Sequence, residues 1–176
     1  MMFCEGFFMK LDMQPILCGE KNKIEFDFAT VPEEEAVLAD LFPDVEFHTP
    51  VSVKGNVKNM SGYMVLTVNS DLSFTSDCAR CTKPVDGEIK LSFEREIAGR
   101  DTSRENDDYI FIEDKKLDIF EPLTEQLLLE MPSRVLCSED CKGLCPKCGK
   151  NLNEGTCGCE TKTTDPRLEI LKTLLK

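Results

Sequence analysis

Eight cysteines set out as four close pairs restrict this chain more than any other feature: Cys78/Cys81, Cys137/Cys141, Cys145/Cys148 and Cys157/Cys159. Thiolates spaced this closely reach one metal ion together, and four of them make the tetrahedral donor set that Zn²⁺ favours. The rival use of dense cysteine, a disulfide framework, needs an oxidising compartment. Residues 1–8 lean apolar, but Glu5 interrupts them and no basic flank precedes them, so they do not read as a secretory leader. Met9-Lys10-Leu11 reads like a natural start. The expectation is a cytoplasmic protein whose thiols stay reduced and free to take metal. No apolar run approaches the roughly 18 residues of a membrane span, so no membrane partner is expected.

Within the cluster, Cys145-Pro146-Lys147-Cys148-Gly149 has the form of a zinc knuckle, with a glycine where the tight turn needs positive φ. Cys145, Cys148, Cys157 and Cys159 lie close enough in sequence to close one compact site. Cys78 and Cys81 would then join Cys137 and Cys141 across a long gap, where a clip constrains the unfolded chain most. The alternative gives Cys78/Cys81 to Cys145/Cys148, and the spacing leaves both open. An iron–sulfur cluster would also accept four thiolates, but the knuckle glycine and the pair spacing favour zinc, as two structural ions. His48 is the only histidine and lies in a strand-like stretch, so it reads as a surface or packing residue. Cys4 and Cys18 have no near partner and read as free thiols.

The pattern of apolar residues gives the α+β class: a mainly antiparallel β core, a few helices and a C-terminal zinc-knuckle region. Ile24, Phe26 and Phe28 alternate with acids as a half-buried strand. Pro32 opens a short helix that Pro43 stops, with Val37, Leu38 and Leu41 as its apolar face. Val45 to Val57 alternates again and is expected to break at Gly55. A long strand carries Met64, Leu66, Val68, Leu72 and Phe74 on one face, pairs with Gly87 to Ile97, and leaves Cys78/Cys81 at a hairpin tip. Residues Arg100 to Asp108 form a charged loop and Tyr109 to Ile112 a short strand. Asp118 or Glu121 caps a helix that runs to Glu130, with Ile119, Leu123 and Leu127 as a core stripe and Phe120 and Leu128 beside it. Asp165-Pro166 starts a last helix faced by Leu168, Leu171 and Leu175. The expected division is a β-rich acidic domain over 9–136, including the CxxC hairpin, and a cysteine-rich segment over 137–176.

Charge is divided along the same line. The chain is −12 overall; residues 137–176 hold seven basic and six acidic residues, +1, which leaves −13 for the first 136. An acidic body repels a phosphate backbone at long range and suits a basic protein partner. Arg80, Lys142, Lys147 and Lys150, interleaved with the knuckles, are candidate local phosphate contacts, although such residues are more often solvated surface charge. The residues offer no Gly-rich phosphate loop, no Ser–His–Asp set and no acid–base pair, and the CxxC on a hairpin lacks the helix start that activates a redox thiol. An enzyme and a small-molecule substrate are therefore not expected.

Cys78-Ala-Arg-Cys81, the acidic segment Tyr109 to Pro132, the run Cys137-Ser-Glu-Asp-Cys-Lys-Gly-Leu-Cys-Pro-Lys-Cys-Gly-Lys-Asn-Leu-Asn153, Cys157-Gly-Cys159 and Asp165-Pro166-Arg167-Leu168 together resemble the YceD family, the large ribosomal RNA subunit accumulation proteins. The resemblance runs from about Met9 to the end. It implies a non-enzymatic part in large ribosomal subunit biogenesis, supporting accumulation of 23S-type ribosomal RNA. The implied partners are a precursor large subunit, its RNA or a basic ribosomal protein. Family members share the first CxxC more widely than the later knuckles, which implies that the C-terminal site is an elaboration. The competing reading from another class is a redox-sensitive zinc-binding chaperone, which needs exposed, oxidisable thiolates.

Overall fold

The computed structural model describes residues 9–60, 63–98 and 109–159. The expectations for residues 1–8, Cys4, the charged loop from Arg100 and the helix from Asp165 lie outside them. In chain order the elements are β1 (Lys10–Asp12), α1 (Gln14–Leu17), β2 (Lys23–Ala29), α2 (Pro32–Leu41), β3 (Val45–Phe47) and β4 (Ser52–Asn59). Then follow β5 (Met64–Asp77), β6 (Pro84–Ile97), β7 (Tyr109–Ile110), β8 (Lys116–Asp118) and α3 (Phe120–Glu130). Mainly strands with few helices, this is an α+β chain. It groups into two compact units, Met1–Ser76 with Asp86–Ser133, and Asp77–Val85 with Arg134–Lys176. The tip of the β5–β6 hairpin thus groups with the cysteine-rich tail, not with the sheet from which it extends.

The first unit is built on a six-stranded sheet in the order β2-β4-β5-β6-β7, with β3 also paired to β5. Strands β2 and β4, β4 and β5, and β3 and β5 pair antiparallel, whereas β7 lies parallel to β6. Period-two alternation puts Val53, Val57, Leu66, Val68, Leu72, Phe74 and Leu91 on the buried face. Leu123 and Leu127 of α3, and Ile119 just before it, are buried as the stripe requires. The α3 start is held by Asp118, whose Oδ1 accepts the N–H of Phe120 at 2.9 Å and of Glu121 at 3.3 Å.

Two local expectations are corrected. The break between Val45 and Val57 falls not at Gly55 but at 48–51, where the Thr49–Pro50 peptide is cis. Gly55 continues β4 because Phe26, directly opposite in register, lays its ring over the missing side chain. Leu128, expected beside the core stripe, is instead 52 % exposed. Five residues past Leu123, at about 100° per residue, it has turned well off the buried face.

The sequence reading missed β1, α1 and β8, which are short and carry weak periodicity. Antiparallel β1–β8 pairing brings Leu11 opposite Leu117. It also missed Glu34, a fully buried carboxylate in α2. Its two oxygens accept the Met9 N–H at 2.6 Å and the Val31 N–H at 3.1 Å, so the side chain stitches the lead into β1 to the start of α2. Burial raises its pKa above the usual carboxylate range, with Asp118 and Glu33 adding repulsion, against the two backbone donors that lower it. Because the folded value lies above the unfolded one, the unfolded chain gives up this proton first. This group's contribution to stability therefore falls as pH rises from the ordinary glutamate range through the raised value. Glu34→Gln is expected to flatten that part of the pH–stability curve, as read from urea midpoints across acid to neutral pH. An unchanged slope would show that this carboxyl is not the group responsible.

Candidate metal centres

Both candidate centres lie in the second unit. Each begins with a pair of cysteines on a tight turn, and the two turns have the same hydrogen-bond pattern. Thr82 donates to Cys78 O at 2.9 Å and Gly149 to Cys145 O at 2.8 Å. The ring is closed by Cys78 N donating to Lys83 O at 2.8 Å and Cys145 N to Lys150 O at 2.9 Å. Gly149 has φ +73°, the positive φ anticipated for a knuckle glycine; Thr82 occupies the matching position at φ +54°, which is strained for a β-branched residue.

The sulfurs gather into two sets of four. Cys78, Cys81, Cys137 and Cys141 form the first centre, and Cys145, Cys148, Cys157 and Cys159 the second; within each, all sulfurs lie within 4.8 Å of one another. Of the two groupings that the spacing allowed, this is the one tying the hairpin tip to the segment after α3. Cys78 Sγ is 3.8 Å from Cys141 Sγ, and Cys81 Sγ is 3.6 Å from Cys137 Sγ. A tetrahedral ion with metal–sulfur bonds of about 2.3 Å places its ligands about 3.8 Å apart, so these are the edges of such a tetrahedron. A disulfide would need about 2.05 Å. Either set could hold a metal ion.

The electrostatics press the same way. The N–H groups of Cys137 and Arg80 point at Cys78 Sγ and, against burial, pull its thiol down to about 6. The N–H groups of Cys148 and Lys147 do the same for Cys145, also to about 6. Cys81 goes the other way: the Lys83 N–H favours its thiolate, but burial and three neighbouring sulfurs push it up to about 12. Cys159 is pushed up to about 12 by Cys148, burial and Cys157. Four crowded thiols cannot all ionise without a cation among them; a divalent ion held by these sulfurs would supply the missing charge and displace the remaining protons.

The two centres differ in shelter. In the first, Cys78, Cys81 and Cys141 are buried and only Cys137 is exposed, with Val85 and Leu136 packed against the cluster. In the second only Cys145 is buried; Cys148 is exposed and Cys157 and Cys159 are half-buried.

Residues outside the ligand sets hold the frame. Arg80, a candidate phosphate contact by sequence, is exposed and bonds the neighbouring backbone: Nη1 donates to Cys141 O at 2.8 Å and Glu139 O at 3.2 Å. Its own carbonyl accepts the Leu144 N–H at 3.0 Å, and an added Cβ on Gly143 would sit 2.9 Å from that oxygen. Asn153, which the sequence reading did not single out, donates from Nδ2 to Cys141 Sγ at 3.3 Å and is the largest influence lowering that thiol. The signal was the Asn151-Leu152-Asn153 run just past the knuckle, read there only as part of a motif. His48 stands in neither set and bonds Thr75 Oγ1 at 3.0 Å, while Cys18 is an exposed free thiol. Among the described residues no helix is long and apolar enough to cross a membrane.

The chain is 31% identical over 160 residues to protein YlbN of Bacillus subtilis, covering 89% of this chain and 90% of that one. It is 29% identical over 123 residues, 68% of its length, to an uncharacterized protein of Mycobacterium tuberculosis; the chain spans 59% of that relative's length. Over 51 residues, 29% of this chain and 16% of the relative, it is 37% identical to a chloroplastic large ribosomal RNA subunit accumulation protein YCED homolog of Arabidopsis thaliana. No solved structure matches the chain. A family model described as "Large ribosomal RNA subunit accumulation protein YceD" matches residues 66–175, a span that takes in all eight clustered cysteines. The chain belongs to the YceD family.

Proposed function

We propose that this chain is a non-enzymatic factor in large ribosomal subunit biogenesis, supporting accumulation of 23S-type ribosomal RNA, and that two structural zinc ions hold its cysteine-rich part. The observation that carries the reading is the family match over residues 66–175. All eight clustered cysteines, Cys78, Cys81, Cys137, Cys141, Cys145, Cys148, Cys157 and Cys159, serve as zinc ligands. Sulfur separations of 3.6 and 3.8 Å suit one small ion rather than a cluster of several irons. Four thiolates close the coordination sphere, which leaves zinc a structural part with no open position for catalysis.

A division of labour follows from charge. The acidic β-rich part, 9–136, faces a basic ribosomal protein, and the cysteine-rich segment, 137–176, offers Lys142, Lys147 and Lys150 for local contact with precursor-subunit RNA. Exposed Cys148 favours one competing reading, an oxidation-responsive chaperone. The protein works in the cytoplasm, where ribosomes are assembled.

Depleting the protein is expected to lower large-subunit RNA relative to small-subunit RNA and to deplete free large subunits in gradient profiles. Tagged protein is expected to co-sediment with precursor particles and to contain two zinc ions per chain. Normal RNA ratios and profiles after depletion would remove the ribosomal reading. A gain of holdase activity on peroxide treatment, with zinc release, would replace it with the chaperone.

A further inference from the structure

The second centre's loop carries a ligand support for the first. Asn153 lies between Cys148 and Cys157, inside the loop that the second centre closes. Its side chain nevertheless serves the first centre. Oδ1 accepts the Lys142 N–H at 2.8 Å, and Nδ2 donates to Cys141 Sγ at 3.3 Å and to Asn151 Oδ1 at 2.9 Å. The amide orientation is fixed by chemistry: the Lys142 N–H can only donate, so the oxygen faces it and the NH₂ faces the sulfur. The loop is laid against the segment between the centres by Leu152 N donating to Gly143 O at 2.9 Å and by the Leu144–Asn151 bridge.

We propose that the two metal centres load cooperatively, with Asn153 as the positioning residue through which closure of the second centre strengthens the first. The inference rests on the zinc reading above and goes beyond it. A donor to a metal-bound sulfur spreads the charge that four thiolates concentrate, and such outer partners typically change metal affinity about 10–100-fold. When the second centre is open, the 149–156 loop is no longer clamped at both ends, and ordering Asn153 against Cys141 costs conformational entropy. Coupling of this kind is reciprocal, so a filled first centre also favours the second.

The test uses the full chain, with zinc affinity measured by chelator competition and each centre followed by its own ¹¹³Cd resonance. Cys157→Ser with Cys159→Ser disables the second centre, and the first is expected to bind about tenfold more weakly. Asn153→Leu is expected to weaken the first centre by a similar factor with the second centre intact. Combining the changes is expected to cost little more than either alone, the mark of a shared path. Asn153→Asp keeps the acceptor for Lys142 but sets an anion beside the sulfur. It should shift the first-centre resonance and weaken binding further, which a purely structural role would not do.

First-centre affinity unchanged by loss of Cys157 and Cys159, or a fully additive cycle, would overturn the coupling while leaving two zinc sites in place. A wild-type chain that takes up no zinc would overturn the metal reading, and the coupling with it.

Discussion

Stripping the metal from the full chain with a strong chelator is expected to unfold residues 134–159 and the hairpin tip. Apart from the cysteines, the cluster around the first centre gathers, among the described residues, only Val85 and Leu136, both partly buried. That is far too little apolar surface to offset the ordering of some thirty residues at about 1–2 kcal/mol each. A structural zinc site contributes about 10–16 kcal/mol of apparent binding energy, as much as the whole net stability of an ordinary domain. On the zinc reading proposed above, metal and fold in this unit form one equilibrium. Cys78→Ser with Cys81→Ser should reproduce the loss at the first centre even when zinc is abundant. Amide hydrogen exchange is the measurement: protection should vanish over 134–159, whereas β4, β5 and β6 below the tip keep theirs. Protection that survives complete zinc removal would show that the unit stands without its ions.

Gly55→Ala is expected to destabilise the sheet by about 3 kcal/mol, at the upper end for overpacking. An added Cβ would lie 2.1 Å from Thr67 O and 2.5 Å from Phe26 Cζ. The ring can swing aside, but Thr67 O belongs to β5 backbone held in register with β4, where Asn56 pairs with Thr67. It can retreat only if ladder bonds open. Phe26→Leu added to Gly55→Ala should therefore restore little, because the ring is the lesser obstacle. Urea midpoints compared at constant slope would measure this. A change within about 0.5 kcal/mol, the range of an ordinary surface substitution, would mean that β4 and β5 do not approach as described.

How much of this was legible in the sequence depended on how far each signal travels along the chain. Strands β2, β5 and β6 and helix α2 were readable because alternation and proline boundaries are local. The α3 stripe was readable as far as Leu127; Leu128 misled because apolar character alone does not say on which side of a helix a residue points. Gly55 misled for the opposite reason: what replaces its side chain is Phe26, a strand away. Glu34 gave no sign of burial, since a glutamate in the first turn of a helix is ordinarily solvated there. Its partners, the Met9 and Val31 backbone amides, are not visible in any side-chain pattern. At the candidate centres the cysteine pairs and the knuckle turns were plain from spacing. The choice between two groupings was not, because it depends on where a hairpin tip meets a segment more than fifty residues later, at Cys81 and Cys137, 56 positions apart.

That separation also bears on the order of events during synthesis. A nascent chain can finish the β5–β6 hairpin and expose Cys78 and Cys81 long before Cys137 and Cys141 leave the exit tunnel. Until then the tip offers only half a coordination sphere, able to hold an ion weakly or lose it to a competing thiol. Completion of the first centre thus marks the moment at which translation has passed α3, and a truncated product would betray itself by an unquenched pair of sulfurs at the end of an otherwise finished hairpin.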